Sequence, residues 1–194
     1  PHGGANAKSG VSAQGYLLAN DERLFVPTGR AVPAVFKRAG GEFEYYRLQE
    51  NTKRGGTTAL LGDDRIYNGG YAFRTDNGAM LADRVTDRVG GAVARYPGGL
   101  VHGTAGKLRA LKAVIKDTKD RKGKPIRVPG HEVVWEMKGA PTGTAMIVAG
   151  KSVVTSGDKR IGLVDTTTRK LTWSDAVDDT AYGLAVSNGR LLVS

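Results

Sequence analysis

Short apolar runs alternate with turn chemistry along most of the chain, most clearly over residues 144–175. Ala145-Met146-Ile147-Val148 is apolar, and Gly150-Lys151 reads as a turn. Ser152-Val153-Val154-Thr155 follows and is closed by Gly157-Asp158. Arg160-Ile161-Gly162-Leu163-Val164 leads into the polar turn Asp165-Thr166-Thr167-Thr168-Arg169, and Leu171-Thr172-Trp173 ends the unit. Short β-branched and apolar runs, each closed by Gly or Asp, predict consecutive antiparallel strands. A sheet of four such strands cannot bury its faces alone, so it predicts copies of itself as neighbours.

The second strand marks the copies. It recurs around Leu24, Ile66, Leu100, Val153 and Leu191, at spacings of 42, 34, 53 and 38 residues. A four-stranded unit repeating at about 40 residues predicts an all-β fold, a β-propeller of four-stranded antiparallel blades. The blades are expected near residues 15–48, 57–85, 91–138 and 144–175, with the start of a fifth at 181–194. That makes about four and a half blades, read as a single partial propeller over residues 1–194 and as a piece of a longer polypeptide or a domain completed elsewhere. Asn68-Gly69-Gly70 and Pro97-Gly98-Gly99 are expected turns, residues 1–14 a loop and residues 49–56 a basic linker. Phe36, Phe43, Tyr45 and Tyr46 are expected to fill space between sheets. Trp135 and Trp173 are expected to be buried on the outer strands of neighbouring blades.

The spacing of 53 reflects an insertion at residues 112–129, and charge makes it the candidate site. The chain carries a net charge of +10, and residues 107–127 hold nine basic and two acidic side chains. Insertions in repeat proteins fall in loops on one face, often the binding face. Lys112, Lys116, Lys119, Arg121, Lys122, Lys124 and Arg127 are therefore the candidate contacts for an anionic partner. A solvated basic hairpin and a basic amphipathic helix on Leu108, Leu111 and Ile115 are the other readings. No aromatic is interleaved with the lysines, which weakens a single-stranded nucleic-acid reading.

Other chemistry is sparse. Residues 145–152 fit the loosest form of a phosphate-binding loop, but the intervening residues are apolar and β-prone and another strand follows. His2, His102 and His131 lack metal-ligand spacing, and the chain has no Cys, so neither a zinc site nor a disulfide is expected. Asp175, Asp178 and Asp179 lack the Gly and Glu of a calcium loop and read as an acidic inter-blade loop. No run of 18 apolar residues occurs, so no transmembrane segment is expected, and Pro1-His2-Gly3-Gly4 is not a signal-peptide pattern.

Gly106-Lys107-Leu108-Arg109-Ala110-Leu111, residues 158–165 and Thr168-Arg169-Lys170-Leu171-Thr172-Trp173 carry a resemblance; residues 75–78 and 38–41 repeat its turn more weakly. These segments resemble the repeats of the pyrroloquinoline-quinone-type, or quinoprotein-like, β-propellers. That family includes quinone-dependent dehydrogenases and a non-enzymatic outer-membrane β-barrel assembly lipoprotein. The resemblance implies that Trp135 and Trp173 occupy blade-docking positions, and it alone points to a periplasmic or other extracytoplasmic location. The family's adjacent cysteines are missing, and no residue matches its calcium or base positions. No catalytic, cofactor-binding or metal residue is assigned, and no cofactor is expected. The expectation is a non-catalytic scaffold or binding module for protein or anionic ligands, with other segments of the same polypeptide among its partners. The alternative is a fragment of a quinone-dependent dehydrogenase whose cofactor residues lie outside this chain.

Overall fold

Leu24, Ile66, Leu100, Val153 and Leu191 each lie on the second strand of a separate antiparallel sheet. The computed structural model describes residues 11–29, 31–47, 55–56, 58–82, 92–104, 106–120 and 122–194, and no helix occurs among them. The first sheet runs β1 (Leu18–Ala19), β2 (Arg23–Val26), β3 (Ala34–Lys37) and β4 (Phe43–Tyr45). The second runs β5 (Ala59–Leu61), β6 (Arg65–Asn68), β7 (Tyr71–Arg74) and β8 (Met80–Ala82). The third runs β9 (Ala92–Tyr96), β10 (Gly99–Thr104), β11 (Lys107–Lys119) and β12 (Pro125–Lys138). The fourth runs β13 (Ala145–Ala149), β14 (Ser152–Gly157), β15 (Arg160–Asp165) and β16 (Lys170–Ala176). β17 (Leu184–Ser187) and β18 (Arg190–Val193) form a two-stranded sheet.

The register repeats with the sequence. In the four larger sheets the landmark residue faces an apolar residue of the third strand: Leu24 opposite Phe36, Ile66 opposite Phe73, Leu100 opposite Leu111 and Val153 opposite Val164. In three sheets the ladder to the fourth strand shifts beside that partner, between Val35 and Phe36, Ala72 and Phe73, and Leu163 and Val164. An irregularity of this kind strengthens local twist and re-aims the outer strand. Two-residue turns join many of the strands. At Gly69-Gly70 both residues have positive φ, +58° and +82°, which the primed hairpin turn demands and glycine supplies without strain.

Two compact units emerge, residues 1–88 with 116–130, and residues 89–115 with 131–194. In the first, β1 lies against β5, and Phe25, Val35 and Ile66 form a core with Leu18, Tyr45 and Leu61 packed on it. The Tyr45 hydroxyl donates to the Thr75 carbonyl at 3.0 Å, and the Arg47 Nε–H donates to the Asn77 carbonyl. The outer strand of the first sheet thus holds the turn between β7 and β8. Burial raises the Tyr45 phenol pKa well above its ordinary value. Buried Asn68 accepts from the Gly56 amide at 2.6 Å and donates to the Gly56 and Thr58 carbonyls, fixing the approach to the second sheet.

In the second unit β13 touches both β9 and β17, so successive first strands are again neighbours. Leu108, Ala110 and Trp135 of the third sheet share a core with Met146, Val153 and Val164 of the fourth. Tyr96 meets Trp135 edge-on at 6.2 Å. The Ser156 hydroxyl accepts from the Ala145 amide and donates to the Ala181 carbonyl at 2.9 Å, pinning the chain as it enters the next sheet.

Four expectations change. The turn expected at Gly157-Asp158 lies at Asp158-Lys159, both at positive φ. Gly157 stays in β14 opposite Arg160, at a place where a Cβ would collide with the Thr142 backbone. Trp173 is 45% exposed where Trp135 is 5% exposed. Trp135 shares its core with the four-stranded fourth sheet, whereas the sheet after Trp173 consists of β17 and β18 alone. Phe43, at the start of β4, is exposed and meets Phe36 edge-on. In the fifth unit, expected from residue 181, the first strand begins only at Leu184, although the Tyr182 and Gly183 amides donate to the Ser194 carbonyl. The expectations at residues 1–10, 49–54, 83–85 and 91 lie outside the described residues.

Two stability predictions follow from this packing. Trp135→Ala is expected to cost about 3–5 kcal/mol by urea unfolding, and Trp173→Ala less than about 1.5 kcal/mol. Comparable losses would contradict the burial difference. Tyr45→Phe is expected to cost about 0.5–1.5 kcal/mol at neutral pH through its hydrogen bond. The folded phenol ionises above the unfolded one, so the stability from keeping it neutral is intact below about pH 10 and lost as pH rises through the folded value. Urea midpoints from neutral to strongly alkaline pH should therefore fall less steeply for Tyr45→Phe than for the parent.

Candidate functional site: a basic β-ribbon

The inserted residues extend two strands. β10 pairs with β11 from Thr104–Lys107 to Gly99–Lys112, and there β10 ends at the Pro97-Gly98 turn. β11 continues to Lys119, so residues 113–119 run about 23 Å past the sheet edge, at ~3.3 Å per residue. β12 returns alongside from Pro125. Burial changes where the neighbour is lost. Leu108, Ala110, Leu111 and Trp135 lie in the paired portion and are buried. Residues 115–119 and 124–127 are all exposed.

The turn organises around Asp120. Its amide donates to the Lys124 carbonyl at 2.9 Å, and its Oδ1 accepts from the Lys122 and Lys124 amides at 2.8 and 2.9 Å. Asp117 pairs with Arg127 at 3.5 Å, with both side chains largely in solvent. At the base, Arg109 Nε meets Glu136 Oε2 at 2.6 Å, and this hydrogen bond holds the Glu136 carboxyl below its ordinary range. Both carboxylates of residues 107–127 are thus engaged, one by the turn amides and one by Arg127.

Lys112, Lys116, Lys119, Lys122, Lys124 and Arg127 are all exposed. Among the described residues, no carboxylate forms an ion pair with any of these five lysines. Arg121 lies outside the described residues. Ile115, Ile126, Val133 and Val134 are also exposed along the two strands. The helix reading of Leu108, Leu111 and Ile115 is replaced by strand geometry. The signal was present in the sequence: β-prone Ala113-Val114-Ile115 and Ile126-Arg127-Val128 flank an Asp-to-Gly turn.

The remaining candidates are placed as follows. The loop-like stretch at 145–152 is the β13–β14 hairpin, whose backbone is committed to cross-strand pairing at Val148–Val153 and Ala149–Ser152. His102 is buried on β10, His131 lies on β12, and His2 is outside the described residues. Asp175 closes on the Ala176 amide, and Asp179 pairs with Lys159 at 3.6 Å. Among the described residues no group of three or more His, Asp or Glu side chains is placed to hold a metal ion, and no helix is long and apolar enough to cross a membrane.

No protein-family model matches the chain, and no curated protein matches it. Solved structures do. The computationally designed Ika8 protein, a propeller, is similar with a TM-score of 0.57 and 15% identity, over 96% of this chain and 69% of that one. Sqt1 of Saccharomyces cerevisiae, a WD40 β-propeller protein, is similar with a TM-score of 0.61 and 8% identity, over 94% of this chain and 56% of that one. The chain therefore spans little more than half the length of Sqt1. Identities this low speak for the fold alone: an all-β, propeller-like chain of about four to five blades. Neither neighbour bears on the quinoprotein resemblance.

Asp120→Ala is expected to speed amide hydrogen exchange at Lys122 and Lys124 about fivefold, for ~1 kcal/mol of lost turn hydrogen bonding, and to leave the core amides unchanged. Unchanged exchange at both lysines would show that the carboxylate does not hold the turn.

Proposed function

We propose that this chain is a non-catalytic scaffold or binding module of propeller fold that engages an anionic partner through the β11–β12 ribbon. One observation carries the reading. The third sheet extends two strands past their neighbour, and that extension places Lys112, Lys116, Lys119, Lys122 and Lys124 in solvent while its own carboxylates are engaged elsewhere. A hydrogen-bonded strand pair holds cations at set spacings, which lowers the ordering cost of binding. The fold itself supplies a rigid platform and does not choose the function. The blade motifs at residues 106–111 and 158–173 support a quinoprotein-like repeat type, in its scaffold rather than its enzymatic form.

The test compares heparin retention of the intact chain with a variant in which residues 113–127 are replaced by a short Gly turn. The replacement leaves the β10–β11 pairing in place. The parent is expected to elute at clearly higher salt, and its affinity to fall steeply between about 50 and 200 mM salt as counterions are released. Equal retention, with equal thermal midpoints, would remove the binding role.

A further inference from the structure

Resting on the reading of the ribbon as an anion-binding arm, we propose that its partner is double-stranded DNA, contacted at a groove and its flanking phosphates. Three observations favour a duplex over other polyanions. The first is the distribution of charge over the ribbon. Successive residues of a strand point to opposite faces, so Lys112 and Lys116 lie on one face of β11 and Lys119 on the other. A flat surface engages one face. A groove places phosphates on both sides of an inserted element, and the major groove, about 12 Å wide, admits a two-stranded β-ribbon.

The second observation concerns the aromatics. None occurs between Tyr96 and Trp135, and these two pack on each other at 6.2 Å, with Trp135 buried. The ribbon therefore offers no platform on which unpaired bases could stack, and single strands lack their main contact. The third concerns the apolar residues. Val133 and Val134 are consecutive on β12 and both exposed, so they project from opposite faces. An apolar face for membrane insertion would need them on one side.

The charge carriers also set the mode. Among the described residues, the five ribbon cations without ion pairs are lysines, which meet phosphates as point charges, whereas base reading relies on the bidentate fork of Arg or the amides of Asn and Gln. The arm should bind with little dependence on base sequence.

The experiment is fluorescence anisotropy of the intact chain with a labelled DNA duplex of about two helical turns, beside oligo-dT of equal length and phosphatidylserine-rich vesicles. Five phosphate contacts predict a log–log salt slope near −4.5, or about a 500-fold loss of affinity between 50 and 200 mM salt. The triple variant Lys116→Gln, Lys119→Gln, Lys124→Gln is expected to bind roughly 10- to 100-fold more weakly at 50 mM, with the slope reduced by about three. All three side chains are exposed, so its thermal midpoint should match the parent's. Equal duplex affinity of the variant and parent would overturn the proposal, as would tighter binding to oligo-dT or to the vesicles. If heparin retention depends on the ribbon while the duplex does not bind, the anion-binding arm stands and the DNA partner falls. Loss of both removes the arm itself.

Discussion

Each small sheet has two faces, and its short strands provide too little area to bury both against one another. The structure depends on this constraint. Ile66 is fully buried against Phe25 and Val35 of the first sheet, and Val153 is fully buried in a core shared with Leu108 and Trp135 of the third. The register irregularity beside that partner recurs in three sheets, so a strand geometry repeats along with the residue pattern. Buried polar side chains then fix how one sheet hands over to the next. Asn68 and Ser156 do this by bonding backbone of the incoming segment, where an unsatisfied amide or carbonyl would be costly.

The basic ribbon is the same constraint seen from its far side. Beside β10, β11 carries buried Leu108, Ala110 and Leu111 among Lys107, Arg109 and Lys112, and past Ile115 it turns to exposed Lys, Asp and Thr. Residues 115–119 and 124–127 of the extension are exposed, so they carry charge without a cost of burial. Asp120 holds the turn and Asp117 meets Arg127, which leaves the lysines to define the field of the arm.

The strand positions, the turn chemistry and the repeat were legible in the sequence because they are local. β-branched runs of period two, Gly-Gly and Pro-Gly turns, and the spacing of the second strand all act within one sheet. The candidate cations were legible too, since charge is read directly from composition. Their support was less so. Residues 112–129 departed from the repeat and were open to reading as a binding loop, a solvated basic hairpin or, against the repeat match at 106–111, a helix, although the β-prone flanks around an Asp-to-Gly turn marked the ends of two strands.

Outside the insertion, the sequence by itself determined where most strands lie and how they pair with the next strand along the chain, and it determined how much positive charge the insertion carries. Only tertiary structure decided which apolar residues are covered and which charges are neutralised. Trp135 and Trp173 sit at comparable places on outer strands, yet one is enclosed with Met146 and Val164 while the other stands half in solvent. Likewise Asp117 and Asp120 count the same in composition, but one reaches Arg127 and the other its own turn amides. Burial and pairing depend on what lies across space, which local pattern does not encode.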